Sequence, residues 1–171
     1  MTFPTRKFER RRTVRAALLA ACLLGSASVA LGQDQSAASP QDAIVARKTA
    51  MNTLSDKMDV IEAAVASGKK LDLEDGHTNA DVISVLLMAF PHLFPPSTNQ
   101  WKPNVDRDPA TDTYASPDVW TKFADFYKQA SAASKAAFDA SRADDEGTFK
   151  AAIAQLRTGC NACHTAYLKA N

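Results

Sequence analysis

The chain is predicted to be all-α, an antiparallel four-helix bundle, from three features of its 171 residues. Apolar side chains recur at alternating steps of three and four along four separate stretches, which is the period of a helix face buried against neighbours. No segment alternates apolar and polar residues as a half-buried strand does. Two of the stretches also open on Ser-Pro followed by an acid, a helix start in which Ser caps and Pro occupies the first turn.

The first helix opens at Ser39-Pro40-Gln41-Asp42, and Ser67-Gly68 closes it. Its seam is Ile44, Arg47, Met51, Leu54, Met58, Ile61 and Val65. A second helix is predicted from Asn79 to Phe90, where Pro91 stops it. Val82, Leu86 and Ala89, and one step along Ile83, Leu87 and Phe90, give it an apolar face wide enough to be buried on more than one side. From Pro91 to Ala115 the chain holds five of its eight prolines and little periodicity, a connection too long to lack a functional or topological reason. Ser116-Pro117-Asp118 starts a third helix with the stripe Val119, Phe123, Phe126, Ala130, Ala133, Ala137 and Ala140, flanked by Trp120, Tyr127 and Phe138. Beyond Asp144-Asp145-Glu146-Gly147, a fourth carries Phe149, Ile153, Leu156, Cys160, Cys163 and Tyr167 on one face.

Cys160-Asn161-Ala162-Cys163-His164 is the C-x-x-C-H signature of covalent c-type haem attachment. The chemistry needs two thiols for the two vinyl groups and an imidazole that reaches the iron from the same side. On a helix, positions 160, 163 and 164 leave one face together. A zinc site would want a second ligand pair, and none stands at metal spacing. A thioredoxin-like pair belongs between a strand and a helix, and a disulfide across two residues closes too short a loop to stabilise much. One covalent haem c, placed between helices and held at one edge by the last, is the expected cofactor.

Residues 1–32 have the pattern of a secretory signal, with Arg6, Lys7, Arg10, Arg11, Arg12 and Arg15 ahead of an apolar stretch from Ala16 to Leu31. Ala30 and Gly32 place the cut between Gly32 and Gln33. Arg10-Arg11-Arg12 leaves a twin-arginine route open, and Leu19-Ala20-Ala21-Cys22 leaves open a lipid anchor at Cys22. Residues 33–38 are small and polar and are expected to be a disordered leader, so the domain is 39–171. Export agrees with the motif, because c-type haem is attached outside the bacterial cytoplasm, and a periplasmic location follows. The whole chain has 20 basic and 19 acidic residues, but without the signal the balance is 14 to 18. This mild acidity gives no case for nucleic acid binding, and no further segment is long enough to span a membrane.

A haem-attachment site at the end of a four-helix chain resembles the class II cytochromes c, the cytochrome c′ and cytochrome c556 group. The resemblance covers the mature sequence. Arg47-Lys48-Thr49-Ala50-Met51 is similar to the family's Arg followed four residues later by the residue over the distal haem face. Phe94-Pro95-Pro96 resembles its Phe-Pro turn, Ala115-Ser116-Pro117-Asp118-Val119-Trp120 with Phe123 its next helix start, and Cys160 to Tyr167 its C-x-x-C-H-x-x-Tyr. Leu168 is a departure: many relatives carry a basic side chain there, and gas chemistry at the proximal face that depends on it is put in doubt.

Arg47 on an apolar seam needs an anionic partner, for which a haem propionate is the natural group, unless it snorkels to solvent. Met51, one turn along, is expected to ligate the iron opposite His164, giving an electron carrier, with core packing as the other reading. The alternative function is a five-coordinate protein that binds nitric oxide or carbon monoxide at an open distal site. Met58 and Met88 are weaker candidates for the ligand, and His77 and His92 read as surface residues. No enzyme constellation stands out. Expected partners are redox proteins or small gases, and the resemblance adds a homodimer through the first two helices.

Overall fold

The structure is a computed structural model that describes residues 39–169. The expected signal, the leader and Cys22 lie outside the described residues. Five helices are present and, among the described residues, no strand. They are α1 (Pro40–Ala66), α2 (Leu73–Ala89), α3 (Asp118–Thr121), α4 (Phe123–Ser141) and α5 (Glu146–Tyr167). The four long ones form the bundle. α2 packs on α4, α4 on α5 and α1 on α2, whereas the backbones of α1 and α5 barely approach.

Local chemistry accounts for each boundary. Ser39 and Asp42 form a reciprocal capping box, Ser39 Oγ accepting from Asp42 N at 3.1 Å and Asp42 Oδ2 from Ser39 N at 2.9 Å. After α1, Gly68 takes φ 67°, a conformation only glycine adopts without strain. α2 begins six residues before the predicted Asn79, because the Asp72 carboxylate accepts from the backbone N–H groups of Glu74 and Asp75. Its first turns are polar and include Gly76, which masks the periodicity there. Gly76 is packed under Phe149, and a Cβ on it would stand 2.8 Å from the ring.

The predicted third helix is broken. Lys122, at φ −120° and ψ 36°, separates α3 from α4. The one-turn α3 buries Val119 and sets Trp120 to donate from Nε1 to the carbonyls of Phe94 and Pro95 at 3.1 and 3.3 Å. Past the break the face has rotated, so Phe123, predicted in the stripe, is 40% exposed while Phe126 is buried. Two 3₁₀ turns, Phe90–Leu93 and Pro96–Thr98, lead into the long connection. That connection is tied to the end of α5, where Ser116 N donates to Tyr167 O and Lys169 N to Tyr114 O, both at 2.8 Å.

The core has two parts. The larger joins all four long helices through Leu54, Met58, Ile61, Ile83, Leu87, Phe149, Ile153 and Leu156. On α4 this core is lined with alanines, which let α2 and α5 come close. The smaller is aromatic, with Phe90, Phe94, Phe126 and Tyr167 around Val119. Met51 packs against both.

Candidate haem site

Where α1 and α5 stand apart, a cavity runs between them in two lobes. The larger, about 300 Å³, is walled by Arg47, Met51, Phe90, Phe94, Phe126 and Tyr167, with Cys163 and His164 on the α5 side. The smaller, about 90 Å³, continues past Leu54, Met58, Ile83 and Arg157 to Cys160. Met51, Phe90, Cys163 and His164 line both. Helical spacing therefore brings the two thiols, the imidazole and the thioether around one space. Met58 reaches only the smaller lobe, and Met88 is 64% exposed on α2 and lines neither.

The electrostatics distinguish the readings of C-x-x-C. Burial raises both thiols, Cys163 to about 11, the opposite of the lowered thiol on which a redox pair depends. Both cysteines are free, and among the described residues no three His, Cys, Asp or Glu side chains gather as a metal cluster. His164 is exposed overall, yet its ring lies against both lobes. The partial loss of water there, and then the Arg157 cation, lower its pKa and favour the neutral imidazole that can ligate. Arg157 is held by a bidentate pair across to Glu62 on α1, Nε to Oε1 at 2.6 Å and Nη2 to Oε2 at 2.7 Å.

Arg47 is 4% exposed and has no carboxylate within ion-pair distance among the described residues. Its guanidinium donates from Nη1 to Thr98 Oγ1 at 2.9 Å and from Nη2 to Thr113 Oγ1. It also faces the Phe94 ring at 4.7 Å and the Trp120 ring at 5.8 Å. Burial alone lowers its pKa to about 10. This buried location excludes the snorkelling reading. At the other wall, Tyr167 Oη donates to Asp125 Oδ2 at 2.6 Å, and burial followed by that carboxylate pushes the phenol up to about 12. Thr98, Thr113 and Asp125 lay beyond the sequence reading, since none shares a periodic face with the motif.

His77 differs from its expected place at the surface. It is half-buried, with Nε2 2.9 Å from the Ala143 carbonyl and its ring 6.0 Å from Phe149, so it ties α2 to the start of α5. His92 is exposed as predicted.

A flat, apolar group with anionic edges suits this space. The walls are largely aromatic and aliphatic, the buried Arg47 cation lacks a counter-ion among the described residues, and the thiols and imidazole share a face. The fold and cavity thus define a helical-bundle haem protein. A family model described as cytochrome C′ matches residues 42–168, and the chain belongs to that family. Its cofactor is a covalently attached c-type haem.

Solved structures share the fold. Cytochrome c′ from Thermochromatium tepidum is 22% identical, with TM-score 0.66, over 77% of this chain and 97% of that one. Cytochrome c prime from Shewanella frigidimarina is 24% identical, with TM-score 0.65, over 77% and 97%. The nitric oxide complex of a mutant cytochrome c prime from Alcaligenes xylosoxidans is 23% identical, with TM-score 0.64, over 77% and 98%. No curated protein sequence matches.

Proposed function

We propose that this chain is an exported mono-haem protein in which Cys160 and Cys163 carry the haem, His164 ligates the iron, and a diatomic gas binds on the opposite face beneath Met51. When bound, the haem supplies an iron that cycles between ferric and ferrous states and coordinates nitric oxide or carbon monoxide. The carrying observation is that Met51 and His164 line both lobes of one cavity whose remaining walls are largely aromatic and aliphatic. A thioether can ligate haem iron, and the Met51 side chain would cap the face that the gas reaches. Phe90, Phe94 and Phe126 exclude water, Tyr167 is held aside by Asp125, and Arg47 offers its remaining N–H groups to a haem carboxylate. The nitric oxide complex known for the Alcaligenes mutant protein supports this use of the fold.

The location of Met51 also favours a second reading, an electron carrier with its sulfur as the sixth ligand. One experiment separates the two. In the full chain made with haem-attachment machinery, a broad high-spin ferrous spectrum that shifts with carbon monoxide supports gas binding. A narrow α-band unaffected by the gas, lost in Met51→Ala, overturns it in favour of the carrier. The proposal includes export, with the cut between Gly32 and Gln33. The N-terminal sequence and intact mass of protein recovered from a bacterial periplasm test it, and retention of residues 1–32 or a lipid on Cys22 would count against it.

A further inference from the structure

Thr113 carries a buried hydroxyl proton with no acceptor among the described residues. It is 4% exposed and lines the larger lobe beside Arg47. A hydroxyl can accept two hydrogen bonds and donate one. Thr113 Oγ1 already accepts from Arg47 Nη2 and from Ala115 N, the latter at 3.1 Å, so both acceptor positions are taken. Its O–H has no acceptor among the described residues. Thr98 differs, because it accepts from Arg47 Nη1 at 2.9 Å and donates its single hydroxyl proton to the Pro95 carbonyl at 2.8 Å.

We propose that Thr113 donates its hydroxyl proton to the haem carboxylate that Arg47 pairs, while Thr98 is a positioning residue that holds the guanidinium. The inference rests on the pairing of Arg47 with that carboxylate. It gives the long connection a purpose: the chain from 90 to 117 brings two hydroxyls to one arginine, one as a brace and one as a second donor. A burial site with an unpaired cation and an unpaired proton on the same wall calls for an anionic acceptor.

The test is the reduction potential and visible spectrum of the haem-loaded full chain carrying Thr113→Ala, Thr113→Val, Thr113→Ser, Thr98→Val or Arg47→Gln. Without the Thr113 proton the carboxylate keeps more negative charge near the iron, which favours the ferric state, so Ala and Val lower the potential. Ser retains the parental value. Arg47→Gln lowers the potential further, and Thr98→Val lowers it less than either. Ala differs from Ser by one oxygen, and Val preserves volume, so one comparison survives if the other variant misfolds. Ala or Val at the parental potential while Arg47→Gln is lowered overturns the role of Thr113 alone. Ala and Ser shifted equally would make the effect one of packing and also overturn it. Arg47→Gln at the parental potential removes the underlying pairing as well.

Discussion

Burying Arg47 with no carboxylate among the described residues to pair it is costly, and it is legible from sequence because an arginine interrupts an otherwise apolar seam. Cys160, Cys163, His164 and Met51 are equally legible, since helical spacing alone sets them on the inward faces. Thr98 and Thr113 are not, because they lie 51 and 66 residues from Arg47 in a stretch with no period to mark them. Packing at this scale makes two predictions. Leu156 is fully buried, and Leu156→Ala is expected to cost about 2–5 kcal/mol in a denaturant titration. Gly76→Ala sets two effects against each other, a helix-propensity gain of about 1 kcal/mol and an overpacking cost of about 1–3 kcal/mol against a ring that is itself fully buried. Overpacking wins, and the unfolding midpoint falls.

Among the elements, α1 and α5 match their sequence patterns because strong caps coincide with the start of the apolar period. α2 starts earlier than its apolar period predicts because Asp72 caps a polar first turn, and the predicted third helix breaks under the pull of Phe94 and Pro95 on Trp120, which local pattern does not register. α5 carries the haem motif, and its cap makes its stability depend on pH. Asp145 accepts from Thr148 N at 2.8 Å and Thr148 Oγ1 at 2.9 Å, which hold its carboxyl below the usual carboxylate range. A depressed folded pKa means the cap stabilises fully above the unfolded value and is lost as pH falls through the folded one. Asp145→Ala should therefore unfold more readily than the parent at neutral pH, with the gap closing below the usual carboxylate range. Circular dichroism melts at both pH values check this.

At the scale of the molecule, the bundle leaves α1 and α5 apart and joins them through the Glu62–Arg157 pair at one end of the cavity. Both partners are about 40% exposed, so salt screens the pair and it is a weak substitute for a group filling the gap. The protein is accordingly expected to need its haem for full stability. A Cys160→Ser, Cys163→Ser double variant that retains no covalent haem should unfold at lower denaturant than the loaded parent, and an equal midpoint would show that the bundle closes by itself. The sequence by itself determined the helical class, the attachment helix and the inward residues, because a period of three to four and a five-residue motif are local properties. Only the tertiary structure decided where the third helix breaks, how deeply Arg47 is buried and which loop hydroxyls meet it, because those depend on contacts between segments far apart in the chain.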